Sequence, residues 1–138
     1  MFQKLKVLVA DDNQMMRSLV ADGLRKMEIE QIDIVDNGED ALSAINSAAG
    51  TDQPYHIAFL DWHMPEMTGF DVLLKCREDK SLEQMAVVML TAEQEQSNVL
   101  KAIQSGATAY LIKPVSRDAL KSNMEKVLKW FEKNNIKI

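Results

Sequence analysis

Three aspartates stand directly after two apolar runs of the chain, and their placement predicts a metal site. Asp11 and Asp12 follow the run 7–10, and Asp61 follows the run 57–60. If these runs are neighbouring parallel strands, their carboxylates share one cleft, where a pair about 4 Å apart repels by roughly 4 kcal/mol at an effective dielectric of about 20. A hard divalent cation relieves that repulsion, and Mg²⁺ suits a few carboxylates with water. Taken alone, Asp12 also suits the N-cap of a following helix.

Transfer of a phosphoryl group is the chemistry that these residue types favour. An aspartate beside Mg²⁺ can attack phosphorus as a nucleophile and form an acyl phosphate. Asp61, which precedes the loop 62–69, is the predicted nucleophile. Thr91 and Lys113 follow two later apolar runs, and their hydroxyl and ammonium groups can both donate to phosphoryl oxygens.

Five short apolar runs predict the strands that position these residues: 7–10, 32–35, 57–60, 87–90 and 109–112. Most are continuously apolar, which is typical of parallel strands covered on both faces. Helical spacing predicts five faces packed on the sheet, and the residues expected to be buried there are Met16, Leu19, Val20, Gly23, Leu24 and Met27; Ala41, Leu42 and Ile45; Phe70, Leu73 and Leu74; Val99, Ala102 and Ile103; and Leu120, Met124, Val127, Leu128 and Phe131. Strict alternation predicts a doubly wound α/β sheet with right-handed crossovers. Functional groups then collect beyond the carboxyl ends of the strands.

The composition limits the class of protein. A length of 138 residues with 46% hydrophobic content fits one globular domain. The net charge of −5 and scattered basic residues argue against nucleic-acid binding. The single cysteine, Cys76, excludes an internal disulfide framework. No apolar run reaches the roughly 18 residues of a membrane span, so no membrane insertion is predicted and a cytoplasmic protein is expected.

The chain resembles the response regulator receiver family, and closely its single-domain chemotaxis members, in an ordered set of residues: Asp11-Asp12, Leu60-Asp61-Trp62-His63-Met64-Pro65, Thr91-Ala92, Tyr110 and Lys113-Pro114. The resemblance implies one receiver domain over residues 1–138, with its core at about 5–131. It also implies a five-stranded parallel sheet of order 2-1-3-4-5 flanked by five helices. Such a domain is not an enzyme beyond catalysing its own phosphorylation and dephosphorylation.

The resemblance further implies the roles of the site residues. Asp61 would take a phosphoryl group from the phosphohistidine of a histidine kinase or from a phosphotransfer domain. Asp12, Asp61 and the backbone carbonyl of His63 would bind Mg²⁺ directly, with Asp11 acting partly through water. Thr91 and Lys113 would hold the phosphoryl oxygens, and the peptide bond before Pro114 would be cis.

A switch and an output surface follow from the same resemblance. Phosphorylation would draw Thr91 toward the phosphate and let Tyr110 turn inward. A protein partner would then bind the fourth helix, fifth strand and fifth helix, with contacts at Val99, Ala102 and Tyr110. The stretch 93–96 reads Glu-Gln-Glu-Gln, where motor-binding relatives carry lysines. That difference weakens a flagellar-motor assignment and favours a basic or apolar partner.

Three alternatives remain open at this stage. A flavodoxin-like electron carrier shares the fold class, but Asp11-Asp12-Asn13-Gln14 lacks the phosphate-binding backbone nest that flavin mononucleotide needs. A small phosphatase with an aspartyl-phosphate intermediate would have an acid two residues after the nucleophile, where this chain has His63. A receiver that signals without phosphate is the third.

Overall fold

Parallel strands alternate with helices throughout the computed structural model, which describes residues 4–92 and 96–138. The strands are β1 (Lys6–Ala10), β2 (Gln31–Val35), β3 (Ile57–Asp61), β4 (Ala86–Ala92) and β5 (Ala109–Lys113). The helices are α1 (Gln14–Arg25), α2 (Gly38–Ala49), α3 (Gly69–Glu78), α4 (Gln96–Gln104) and α5 (Arg117–Lys133). Within those ranges no helix is long and apolar enough to cross a membrane.

The five strands form one sheet of order β2-β1-β3-β4-β5, and every neighbouring pair is parallel. The predicted doubly wound α/β class and the implied strand order are therefore confirmed. All five residues of β3 are buried because this strand lies at the centre of the sheet. Since β1 and β3 are neighbours, the residues that follow their carboxyl ends meet at one edge.

Apolar cores lie on both faces of the sheet. Leu8, Ala58 and Leu60 belong to the core under α2 and α3. Val9 and Phe59 belong to the core under α1 and α5. Successive strand residues point to opposite faces, so continuously apolar strands are needed to fill both cores.

Three apolar helix residues that the sequence pattern predicts to be buried are exposed. Leu19 is 44% exposed, Leu74 38% and Ile103 44%. Each stands at the edge of its helix's apolar stripe, next to a neighbour that takes the fully buried position. Helical spacing therefore predicts the correct face but too wide a contact with the sheet.

Candidate functional site

The carboxyl end of β1 places two aspartates in different environments. Asp11 is fully buried, whereas Asp12 is exposed. The amide N–H of Asn13 donates to Oδ1 of Asp11 at 2.9 Å. Asn13 is also the N-cap of α1, because its side chain accepts from the amide of Met16 at 3.0 Å. The N-cap alternative for Asp12 is therefore wrong, and its carboxylate is not used to start the helix.

Asp61 lies at the end of the central strand and pairs with a lysine from the edge of the sheet. Asp61 is buried, with 4% of the residue exposed. Nζ of Lys113, at the end of β5, lies 2.9 Å from Oδ1 of Asp61 and 3.0 Å from Oδ2 of Asp11. One ammonium group thus bridges two buried carboxylates from β1 and β3.

Burial and charge change the protonation equilibria of this pair. The pKa of Asp61 is raised to about 7, chiefly by burial; the hydrogen bond and charge of Lys113 oppose the rise, while the charge of Asp11 adds to it. Burial lowers the pKa of Lys113, but its hydrogen bond to Asp61 and its attraction to the carboxylates of both Asp61 and Asp11 outweigh burial and leave that pKa above its ordinary value. The ammonium is therefore charged near neutral pH, while burial favours the uncharged form of Asp61.

The carboxylates suit a hard divalent cation. Asp11, Asp12 and Asp61 each offer an oxygen, and these oxygens lie within 4.8 Å of one another. Oδ2 of Asp11 is buried and receives no well-directed hydrogen bond from the described residues, although it lies at ion-pair distance from Lys113. Oxygen donors with unused lone pairs are what Mg²⁺ binds.

Thr91 adds an unused donor to the same edge. Its side chain is 1% exposed, and its hydroxyl oxygen has no hydrogen-bond partner within residues 4–92 and 96–138. Thr91 follows Leu90, which pairs in register with Asp61. A buried hydroxyl without a partner is costly, so an acceptor arriving near Asp61 would stabilise it.

The loop after Asp61 is closed by a glycine. The amide of Gly69 donates to the carbonyl of Trp62 at 2.9 Å. A Cβ on Gly69 would lie 2.0 Å from the carbonyl oxygen of Asp61. Only a residue without a side chain lets α3 begin this close to the strand that carries the nucleophile.

Gly69→Ala is expected to destabilise the domain by about 1–3 kcal/mol, because the new methyl group meets backbone that cannot rotate away. Urea unfolding at a fixed Mg²⁺ concentration measures the loss. Gly50→Ala is the matched control, because a Cβ there would lie 3.8 Å from its nearest neighbour, the carbonyl of Ser47. Equal stability of the two variants would contradict the close packing of α3 on Asp61.

The remaining predicted site residues occupy the same end of the sheet. The Lys113–Pro114 peptide bond is cis, the isomer that the resemblance implies. His63 has an exposed side chain two residues after Asp61. Metal binding by its backbone carbonyl stays a prediction.

The predicted output surface needs one correction. Tyr110 is 40% exposed and Val99 is partly exposed, but Ala102 is fully buried against the sheet and cannot contact a partner. Leu100 and Ile103 are 63% and 44% exposed instead. The exposed side chains line an apolar groove of about 410 Å³ together with Ile112.

The structure describes the backbone of β5 in this region but not the whole acidic stretch before α4. Residues 93–95 of the acidic stretch lie outside the described ranges, as does the side chain of Gln96, so the predicted acidic rim stays a prediction. The carbonyl of Tyr110, in contrast, accepts a 2.8 Å hydrogen bond from Nδ2 of Asn123 on α5. That bond fixes the backbone of β5 beneath the exposed ring.

Sequence reasoning missed two contributors to the site. Nη1 of Arg17 donates to the carbonyl of Asp11 at 2.8 Å and holds the strand end in place. The ring of Trp62 stacks on that of Phe70, with centroids 4.8 Å apart. A basic residue in the first turns of α1 and an aromatic at the start of α3 are common features, so nothing in the sequence distinguished either one.

Comparisons with known proteins point to one family. The family model described as response regulator receiver domain matches residues 7–125. The chemotaxis protein CheY of Pseudomonas aeruginosa is 33% identical over 131 residues, which cover 95% of this chain and 99% of that protein. The chemotaxis protein CheY1 of Helicobacter pylori is 31% identical over 124 residues, covering 90% and 97%.

A solved structure gives the same result for the fold. The chemotaxis response regulator CheY4 of Vibrio cholerae superimposes with a TM-score of 0.78 at 26% identity, covering 89% of this chain and 98% of that one. The sequence matches and this superposition span nearly the whole chain, including the acidic cleft at the carboxyl edge of the sheet.

Proposed function

The chain belongs to the response regulator receiver family, and we propose that Asp61 accepts a phosphoryl group from a histidine kinase or a phosphotransfer domain in a Mg²⁺-dependent reaction. The observation that carries this proposal is the carboxylate of Asp61, buried beside two further aspartates and held by Lys113. Family membership favours this proposal over the flavodoxin and phosphatase alternatives. Phosphorylation would switch a protein-binding surface.

Different residues of the cleft would bind the metal ion, attack phosphorus and bind the phosphoryl oxygens. Asp12, Asp61 and the carbonyl of His63 would hold Mg²⁺, with Asp11 acting partly through water; the ion supplies positive charge that neutralises phosphoryl oxygens. An oxygen of Asp61 attacks phosphorus, the bond from phosphorus to the donor's imidazole nitrogen breaks, and its electron pair stays on that nitrogen. Lys113 and Thr91 would donate to phosphoryl oxygens. The chain would catalyse only its own phosphorylation and dephosphorylation.

We propose that the output surface is the apolar groove between α4 and β5. Leu100, Ile103 and Tyr110 expose apolar area there, and such area favours an apolar or amphipathic partner segment. The switch residue Thr91 is the next-to-last residue of β4, the strand that precedes α4 in the chain. Because two relatives are chemotaxis proteins, we propose chemotaxis signalling as the setting.

Acetyl phosphate tests the proposal. With Mg²⁺, the intact protein is expected to gain the mass of one phosphoryl group, and hydroxylamine is expected to remove it because the bond is an acyl phosphate. Chelation of Mg²⁺ should prevent the gain. A protein that stays unlabelled with acetyl phosphate and with phosphorylated kinases would instead be a receiver that signals without phosphate.

Mg²⁺ affinity is expected to rise with pH around neutrality. Burial raises the pKa of Asp61 to about 7, and Mg²⁺ binds the ionised carboxylate, so the ion and a proton compete. Affinity should increase about tenfold between about pH 6 and about pH 8, as one competing proton predicts for that pKa. Titration followed by Trp62 fluorescence measures it, and Asp61→Asn should remove the pH dependence in this window. An affinity that does not change with pH in the unmodified protein would contradict a raised pKa for Asp61.

A further inference from the structure

Three side chains form a continuous stack from the loop after Asp61 to α4. The ring of Trp62, 7% exposed, lies 4.8 Å from the ring of Phe70 at an interplanar angle of 17°. On α4, Nζ of Lys101 lies 4.8 Å from the centroid of the Phe70 ring. Phe70 stands at the start of α3, so the stack joins three separate elements.

The contacts in this stack stabilise one relative placement of those elements. Offset aromatic stacking and a cation over an aromatic face are both attractive, and both depend on geometry. Because Trp62 is nearly buried and its amide donates to the carbonyl of Leu90 at 2.9 Å, the aromatic end of the stack is fixed. Lys101 is exposed, so the end on α4 can be released into water.

Helix α4 follows β4, the strand that carries Thr91 at the edge of the sheet where the acidic cleft lies. Thr91 is buried at the end of β4, without a hydrogen-bond partner among the described residues, and the chain continues from there toward α4. A phosphoryl group on Asp61 would give Thr91 an acceptor and draw the end of β4 toward it. Because Phe70 belongs to α3 and Lys101 to α4, a shift of α4 relative to α3 would weaken the contact between Lys101 and Phe70, which depends on geometry.

We propose that Phe70 and Lys101 are positioning residues that hold α4 against the loop after Asp61 in the unphosphorylated arrangement. The inference rests on the proposed function, because it requires a phosphoryl group at Asp61. Linkage fixes its sign: a contact that favours the unphosphorylated arrangement weakens binding of any ligand that favours the other one. Removing the contact therefore strengthens binding of a phosphoryl mimic.

Beryllofluoride with Mg²⁺ serves as the mimic, and Trp130→Phe provides a parent in which Trp62 is the only reporter. In this parent, Lys101→Met keeps the aliphatic stem and removes the charge. We expect Lys101→Met to bind beryllofluoride about two- to fivefold more tightly, the factor that corresponds to an exposed cation–π contact. The emission of Trp62 without ligand should also change, because its stacking partner loses the cation.

Two further variants distinguish loss of the contact between Lys101 and Phe70 from a general effect of losing a surface lysine. Lys101→Arg keeps a cation over the ring and should bind beryllofluoride as the parent does. Lys75→Met removes an exposed lysine of α3 and should also leave the affinity unchanged. Affinity in Lys101→Met that equals or falls below that of Lys75→Met would overturn the inference while leaving the proposed function intact. A parent that does not bind beryllofluoride would overturn the proposed function, and the inference with it.

Discussion

Asp61→Asn is expected to abolish phosphoryl incorporation from acetyl phosphate, with a loss of at least about 10³-fold in rate, the scale on which removing a nucleophile acts. The amide that replaces the carboxylate is a poor nucleophile, and it also removes one negative charge from the proposed Mg²⁺ site. Incorporation is measured by intact mass after a fixed time with Mg²⁺ and the donor. The same preparation must be shown to be folded.

We expect the Asp61→Asn variant to be at least as stable as the unmodified protein. Burial raises the pKa of Asp61 in the folded protein, so folding favours the uncharged form of this side chain. At about pH 8 without Mg²⁺, the variant should therefore unfold at a temperature no lower than the unmodified protein. A loss of labelling in a stable variant then reports on the chemistry alone.

His63→Gln is the matched control for the site of labelling. Its side chain is exposed two residues after Asp61, and a histidine can also take a phosphoryl group. We expect His63→Gln to be labelled to the same extent as the unmodified protein. Labelling that survives in Asp61→Asn and disappears in His63→Gln would mean that His63, and not Asp61, carries the phosphoryl group, and would contradict the proposal.

The fold and the position of the acidic cleft could be predicted because they depend on patterns along the chain. Continuously apolar runs indicate buried parallel strands, and the carboxyl ends of such strands must meet at one edge. Asp11 and Asp61 are therefore neighbours for topological reasons. No knowledge of side-chain packing was needed to bring them together.

Features that depend on packing across the fold could not be predicted. The N-cap of α1 is Asn13 and not Asp12, because Asn13 is the residue whose backbone is extended and whose side chain accepts from the amide of Met16. Ala102 is buried and Leu100 exposed because of the rotation of α4 about its axis, which spacing alone gives only approximately. The close approach of Gly69 to the carbonyl of Asp61 likewise depends on where α3 packs.

The largest effect on folding is expected from Lys113→Met at alkaline pH. The ammonium of Lys113 lies within 3.0 Å of buried carboxylate oxygens of both Asp11 and Asp61. Removing one partner of a buried ion pair costs about 3–5 kcal/mol, since the other charge stays buried without compensation. Methionine keeps most of the aliphatic volume, so the loss reports mainly on charge.

The pH dependence of that loss distinguishes charge from packing. Without the ammonium, the pKa of Asp61, raised by burial to about 7 from its ordinary 3.8, should rise further. Between about pH 4 and about pH 7 the folded state of both proteins keeps a proton on Asp61 that the unfolded state has lost, so both lose stability in parallel as pH rises. Above about pH 7 only the variant keeps that proton, so its deficit relative to the unmodified protein grows as pH rises toward the variant's own, higher pKa. The deficit of Lys113→Met should consequently be smallest at about pH 5 and should increase as pH rises above about pH 7.

Mg²⁺ and a second substitution complete the test of Lys113→Met. A cation bound at Asp11, Asp12 and Asp61 would replace the missing positive charge, so millimolar Mg²⁺ should restore much of the stability at about pH 8. Adding Asp61→Asn should also recover stability, because it removes one of the two uncompensated carboxylates. Urea unfolding across pH, with and without Mg²⁺, measures both effects, and Lys121→Met on the exposed face of α5 controls for losing a surface lysine. A deficit that is the same at every pH and unaffected by Mg²⁺ would mean that Lys113 stabilises the fold through its aliphatic stem, and that the carboxylate cluster does not need a cation.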